Sequence, residues 1–335
     1  METGSTRSIS PPHMTRSKLA VSLLIAGTLA LGGCGAAVSQ RAADREAVAE
    51  TSYPPTGQLL TVEGHTVHAH VEGHGPDLIL IHGASGSTRD FTFSFVERMK
   101  GRYRVIAFDR PGLGWSDDIG PDGVSPLVQA DLLRKAAEQL GVERPIVLGH
   151  SYGAAVALAW GLRDPGHTAA IVTVSGAVMP WPGDLGPLYS LTASSFGQAA
   201  VVPLISAFVS PDRAEKVVGQ IFAPQKVPPG YADYFGVGLS LRRESFRINA
   251  RQVTGLKPYL KLMQPNYAKL PMPVEILHGD ADQVVPVEIH ARPLGRLIPN
   301  AHVTILPGIG HMPHHVAPEA VAAAIDRAAV RAGLR

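Results

Sequence analysis

The stretch Pro145-Ile-Val-Leu-Gly-His-Ser-Tyr-Gly-Ala-Ala-Val-Ala-Leu-Ala-Trp160 decides the fold. Its first part, Pro145 to Gly149, is a short apolar run with β-branched residues, as a buried strand requires. Its last part, Tyr152 to Trp160, is rich in alanine and leucine and predicts a helix. Between them, Gly149-His150-Ser151-Tyr152-Gly153 fits G-x-S-x-G, the sharp turn that lifts a nucleophilic serine off the end of a strand. So tight a turn leaves no room for side chains at 149 and 153, which would collide with the flanking strand and helix.

A serine hydroxyl is a poor nucleophile at neutral pH and needs a base, which in turn needs an orienting acid. Downstream, Val274 to His278 predicts a strand, followed at once by Gly279-Asp280-Ala281-Asp282. His302 to Leu306 predicts another, leading into Pro307-Gly-Ile-Gly-His311. Acid and base candidates thus lie on loops just past strand ends, the sheet edge where such sites assemble. Asp280 competes with Asp282 as the acid, and His314 and His315 compete with His311 as the base.

Together these motifs resemble an α/β-hydrolase of the cap-bearing branch. The resemblance rests on His82-Gly-Ala-Ser-Gly86 after a strand, Asp109-Arg-Pro-Gly-Leu-Gly-Trp-Ser116, the serine turn, G-D-A-D at 279–282 and G-x-G-H ending at His311. It covers about residues 57 to 330. It implies an α/β fold with a mostly parallel central sheet flanked by helices, and a helical cap inserted after strand six. It further implies a triad of Ser151, Asp282 and His311. Asp280 is then a turn former, and His314 and His315 are surface or helix-leading residues. The oxyanion hole falls to the backbone N–H groups of Ala84 and Tyr152. His82 either touches substrate or anchors its loop, and Asp109 stabilises a turn. A serine at the elbow, where haloalkane dehalogenases and epoxide hydrolases carry aspartate, implies acyl transfer through an acyl-enzyme. Esters are the default substrates. A carbon–carbon hydrolase or a peptidase-like amidase is the alternative, and a non-catalytic binding lipoprotein the rival of another class.

The first forty residues read as an address. Arg16 and Lys18 precede an apolar stretch, Leu19 to Ala30, which is too short to span a bilayer and matches a secretory signal. Met14 is an alternative start. Leu31-Gly-Gly-Cys34 resembles the lipobox of bacterial lipoproteins, in which the cysteine becomes a lipidated N-terminus; an ordinary signal peptide is the plainer reading. Cys34 is the only cysteine, so no internal disulfide can form. The expected location is the cell envelope or periplasm, anchored to a membrane through lipidated Cys34. Gly35 to about Pro55, rich in alanine and charge, reads as a tether.

The resulting organisation is a signal with lipobox over 1–34, a tether over 35–56, a hydrolase core over 57–178 and 257–335, and a helical cap over 179–256. About 300 residues remain after the signal, enough for one large domain with an insertion. Net charge is +2, and no basic cluster with interleaved aromatics supports nucleic-acid binding. The expected partner is a small acyl substrate, with no cofactor. His65, His68, His70 and His74 crowd one probable hairpin, with His68 and His70 on one strand face, but no second ligand pair stands nearby and no metal is expected. Strands are expected near 58–72, 77–82, 103–108, 145–149 and 169–175, and helices near 89–100, 125–140 and 152–163, with Ser125 as N-cap before Pro126. From Val178 to Leu256 the alternation gives way to proline-punctuated helical pieces. Aromatics there, among them Trp181, Tyr189, Phe208, Phe222, Tyr231 and Phe235, are candidates for lining the site. Glu215, Asp233 or Glu244 could hold the amino end of a peptide substrate; an apolar lining would favour esters.

Overall fold

The computed structural model describes Met1 and residues 16–335, with side chains from Gly33 onward. The Met14 start lies outside the described residues, as do the side chains of residues 2–32 of the expected signal segment.

Eight strands form one sheet: β1 (Gln58–Val62), β2 (His65–Gly73), β3 (Asp77–Ile81), β4 (Arg104–Phe108), β5 (Ile146–His150), β6 (Ala170–Val174), β7 (Val274–Gly279) and β8 (Ala301–Leu306). Their order is β1-β2-β4-β3-β5-β6-β7-β8. β1 and β2 pair antiparallel, as do β2 and β4, and every other pairing is parallel. β5 and β6 are buried along their whole length, which explains their unbroken apolar sequences: a parallel strand is covered on both faces.

Alternation within each strand divides the interior into two cores. Ile79, Ile81, Ile106, Phe108, Val147 and Ile171 pack one way, against helices Pro126–Gln139, Tyr152–Arg163 and Arg243–Met263. Leu78, Leu80, Val105, Leu148, Val172 and Leu277 pack the other way, against Phe91, Phe95 and helix Pro318–Arg331. Each fully buried aliphatic side chain contributes roughly 1.5–3 kcal/mol, so the sheet is a stiff platform for the loops at its edge. The chain leaves β3, β5, β7 and β8 at that edge, and all four exits carry candidate residues.

Three local expectations differ. The segment 89–100 is two short helices, Arg89–Thr92 and Phe95–Met99, interrupted at Phe93-Ser94. Ser125 occupies the N-cap position with Pro126 after it, yet its side chain makes no capping hydrogen bond. Residue 256, expected to end the cap, falls inside the continuous helix Arg243–Met263. That helix serves both units: Leu256, Leu260 and Met263 belong to the sheet's core, while Arg243, at its start, meets the N-terminal helix described next.

The expected tether is corrected more substantially, since its residues to Ser52 continue a helix, Arg16–Ser52. Ala42 and Ala49, two turns apart on one face, are buried. Glu46 holds Arg243 through both oxygens, at 2.8 Å each. Arg41 and Arg45 donate to the carbonyls of Ala207 and Val209 at 2.9 and 2.6 Å, and Glu50 pairs with Arg242 at 3.1 Å. Alanine, the best helix former, also lets the two backbones approach closely.

Candidate active site

β5 ends at His150 and the helix begins at Tyr152, so Ser151 alone makes the turn. Its φ of 53° and ψ of −118° lie in a region that side chains rarely adopt, a strain of order 1–3 kcal/mol. The flanking glycines explain how the turn closes. A Cβ at Gly149 would stand 2.2 Å from the Gly153 carbonyl, and one at Gly153 would stand 2.2 Å from the Ile81 carbonyl. The Ser151 N–H donates to the Val174 carbonyl at 3.0 Å, fixing the turn to β6.

Asp282 follows β7. Its Oδ1 accepts from the backbone N–H groups of Val284 and Val285, both at 2.9 Å. Its Oδ2 lies 2.8 Å from His311 Nδ1 and 3.2 Å from His278 Nε2. Burial alone would raise the pKa of this carboxyl. The hydrogen bonds from His278 and His311 outweigh it, holding the group well below the usual carboxylate range and ionised at neutral pH. Asp280 is exposed and instead accepts from the Gly308 N–H at 2.6 Å, stapling the β7 loop to the β8 loop. The geometry thus joins Asp282, not Asp280, to His311.

His311 and Ser151 line one cavity of about 260 Å³. Among the described residues no hydrogen bond joins them directly, and such contacts commonly tighten only when substrate docks. Larger depressions, such as one of about 620 Å³ around Glu46 and Arg242, lie away from Ser151 and hold none of these groups. The segment between β6 and β7 contributes Tyr189, Val217, Val218, Ile221, Phe222, Tyr231 and Phe235 to the cavity. Trp181 and Phe208 do not line it, and neither do Glu215, Asp233 and Glu244.

The loop after β3 folds over the elbow: a Cβ at Gly83 would meet Ser151 Cβ at 3.0 Å. Ala84 lines the cavity beside Ser151. Among the described residues, neither its N–H nor that of Tyr152 has a backbone or side-chain acceptor. Ser85, at φ 53°, is gripped by the segment between β6 and β7, its N–H donating to Asn249 Oδ1 at 2.7 Å and its carbonyl accepting from Ser240 Oγ at 2.5 Å. His82 has the anchoring role: Nδ1 donates to the Gly83 carbonyl at 2.8 Å and Nε2 accepts from the Arg110 N–H at 2.9 Å. Burial lowers its pKa to about 4, keeping the neutral form those bonds require.

Arg110 is wholly buried. It donates to the carbonyls of His82 and Gly83 at 3.1 and 3.0 Å and to the side-chain oxygens of Gln129 and Gln252 at 3.1 and 2.8 Å. Its guanidinium carbon lies 4.1 Å from the Tyr152 ring centroid. Burial lowers its pKa to about 10, so the cation persists at neutral pH. Asp109 is the turn's hub, accepting from His68 Nδ1 (2.6 Å), Thr88 N–H (2.6 Å) and Trp115 N–H (2.8 Å). His68 is thereby committed to Asp109, and His70 pairs with Glu72 at 2.8 Å.

One expectation fails in part, although His314 and His315 do lie in a short helix, Pro313–Val316. His314 and His315 are not surface residues: both side chains are buried against Asp90, at 3.2 and 2.8 Å. Sequence reasoning also passed over Asp90, His278, Arg110 and Asn249. Only proximity to a motif could have flagged them, since each acts across at least one loop.

Residues 78–324 match the profile of the Alpha/beta hydrolase family. The chain is 23% identical over 268 residues to the 2-hydroxymuconate semialdehyde hydrolase of Pseudomonas putida, covering 77% of this chain and 88% of that one. It resembles the crystal structure of a membrane phospholipase A, described as a bacterial virulence factor, with a TM-score of 0.63, 22% identity and coverage of 93% and 99% of the two chains. It also resembles the esterase RhEst1 of a Rhodococcus species, with a TM-score of 0.63, 23% identity and coverage of 80% and 96%. With that match over most of its length, and with the strand order and the elbow described above, the chain belongs to the alpha/beta hydrolase family and is a hydrolase.

Proposed function

We propose that this hydrolase cleaves small, largely apolar carboxylic esters through a Ser151–His311–Asp282 triad and an acyl-enzyme. The observation that carries the reading is the fixed Asp282–His311 pair, held at 2.8 Å at the wall of the same cavity as Ser151. With Nδ1 bound to Asp282, His311 keeps Nε2 as the nitrogen that can accept a proton. Ser151 Oγ attacks the ester carbonyl and its proton passes to His311 Nε2. The N–H groups of Ala84 and Tyr152 stabilise the oxyanion, each by a few kcal/mol in a dry site. The imidazolium then protonates the departing alkoxide. Water, activated by the same nitrogen, releases the acid and restores Ser151.

The cavity's lining favours esters over amides of peptides, because no cap carboxylate reaches it to meet an amino terminus. Its size of about 260 Å³ suits a short acyl chain. The Pseudomonas relative supports a carbon–carbon hydrolase as the second reading. The helices between β6 and β7 act as the cap, closing over the acyl group and excluding water.

For location, we read the chain as an envelope lipoprotein anchored through Cys34. Among the described residues no single helix is long and apolar enough to cross a membrane. The cap nevertheless exposes Leu188, Leu191, Phe196, Leu204 and Phe208, apolar side chains of the kind a lipid surface accepts. The membrane phospholipase A of similar fold is consistent with this placement.

The test is hydrolysis of p-nitrophenyl esters from acetate to palmitate, beside a ring-cleavage diketone, by wild type and Ser151→Ala. The reading expects a short-chain optimum that vanishes in the variant. Cleavage of the diketone with no ester turnover would replace it by the carbon–carbon reading. Labelled palmitate incorporated by wild type and lost in Cys34→Ser tests the anchor.

A further inference from the structure

Asp90, His150, His314 and His315 meet in the interior beside the cavity, on three separate segments. Asp90 lies on the short helix after the β3 loop, His150 ends β5, and His314 and His315 lie just past His311. Phe91 and Phe95 flank His314, with ring centroids 5.3 and 6.4 Å away, and Phe222 and Tyr231 flank His315 at 5.6 and 4.7 Å. The surroundings are therefore apolar, and every polar atom there needs a partner.

Three ring nitrogens lack one, Nδ1 of His150, His314 and His315, and that of His150 faces another acceptor. His150 Nε2 lies 2.9 Å from the His311 carbonyl oxygen, so it carries the hydrogen. In the neutral ring, His150 Nδ1 is then a bare lone pair, without a hydrogen bond and facing Asp90 Oδ2 at 3.7 Å. Two acceptors confront each other in a dry interior. The same Asp90 oxygen is 3.2 Å from His314 Nε2. A cation between these three atoms resolves the confrontation.

We propose that Asp90 Oδ2, His150 Nδ1 and His314 Nε2 form a divalent-metal site, with zinc the metal it suits best. One ligand atom from each of the three residues lies within 4.8 Å of the other two. Metal–ligand bonds near 2.0–2.1 Å in a tetrahedron place donor atoms roughly 3.3 Å apart, and the observed 3.2 and 3.7 Å bracket that separation. Two imidazoles and a carboxylate are a donor set zinc accepts. The outer contacts are in place on two of the three ligands. His150 donates its other nitrogen to a backbone carbonyl, and Asp90 Oδ1 accepts from Tyr231 Oη and His315 Nε2, both at 2.8 Å. His314 Nδ1 lacks an acceptor, which lowers affinity about 10–100-fold against a fully buttressed site. Asp90 and His150 line the catalytic cavity, so water from it supplies the fourth ligand. The ion clamps together the β3 loop's helix, the strand that presents Ser151 and the segment beyond His311.

The experiment uses the full chain without a histidine tag, stripped with chelator and then dialysed against zinc. One tightly held equivalent per chain is expected, together with the visible absorption of four-coordinate cobalt when Co²⁺ replaces zinc. Asp90→Asn and His314→Gln should weaken zinc binding at least 100-fold, whereas changing the exposed His74 or His167 to Gln should leave it unchanged. Wild type that takes up no stoichiometric zinc and gives no cobalt bands overturns the proposal, and needs no variant to fold. So does zinc retained equally by Asp90→Asn and lost on changing the exposed histidines.

Discussion

Replacing Asp282 by Asn turns one carboxylate oxygen into an NH₂ group, and the surroundings dictate which one. Oδ1 receives two backbone N–H donors, from Val284 and Val285, at 2.9 Å each. An NH₂ placed there would face both, so the amide oxygen must stay on that side. The NH₂ then points at His311 Nδ1, 2.8 Å away, and at His278 Nε2, 3.2 Å away. His278 Nε2 lies 2.7 Å from the Val285 carbonyl and keeps its hydrogen. His311 can meet the new donor only by exposing a lone pair at Nδ1, which moves its hydrogen to Nε2. That tautomer cannot accept the serine proton, and the carboxylate charge that stabilises the imidazolium is gone as well. Loss of the correct tautomer in a triad of this kind costs about 10⁴ in kcat, or roughly 5.5 kcal/mol of barrier. The assay is ester kcat at neutral pH on variants whose melting temperature and circular dichroism match wild type. Asp280→Asn keeps the oxygen that accepts from Gly308 and should stay within twofold of wild type. A loss under tenfold for Asp282→Asn, or a larger loss for Asp280→Asn, refutes the reasoning.

Gly153→Ala should prevent the elbow from closing, because the new methyl stands 2.2 Å from the Ile81 carbonyl; overpacking of this kind costs typically 1–3 kcal/mol, and thermal melts that match wild type would contradict it. Arg110→Met strands four acceptors, on His82, Gly83, Gln129 and Gln252, at about 1–3 kcal/mol each. A destabilisation of at least about 4 kcal/mol in denaturant titration is expected, with kcat falling alongside, and a change under 1 kcal/mol would count against the role given to this cation. Acid sensitivity follows from buried neutral histidines. Burial lowers His82 and His290 to about 4, against about 6.5 when unfolded. Below the unfolded value the unfolded chain binds more protons than the folded one. Stability is therefore complete above about pH 6.5 and falls as pH drops toward 4, by about 1.4 kcal/mol per pH unit for each histidine and roughly 3 for the two together in mid-window. Denaturant midpoints that do not move between pH 7 and 5 would show those rings to be charged or hydrated in the fold.

The parts legible in the sequence are those where backbone geometry restricts residue choice. Gly149 and Gly153 are demanded by contacts near 2 Å, and the buried strands need unbroken apolar runs, so both leave a local signature. Asp282 was separable from Asp280 only by family pattern, since both follow the same strand; the distinction lies in which one reaches His311, 29 residues on. Asp90 and His315 are 225 residues apart, and Arg110 and Gln252 are 142 apart. No local pattern announces a buried polar group whose partners lie so distant, and a His-His pair between prolines reads as surface until the fold buries it. The helix over 35–52 was missed for a different reason. Its alanines face a partner rather than fill a core, and its charges read as solvated until Arg242 and Arg243 appear opposite Glu50 and Glu46.

The most direct measurement is covalent labelling of the full chain with a fluorophosphonate, followed by peptide mass spectrometry. The account predicts one adduct per chain, on Ser151, formed in wild type, absent from Ser151→Ala and strongly slowed in Asp282→Asn. An unlabelled wild type, or an adduct on any other residue, would contradict it.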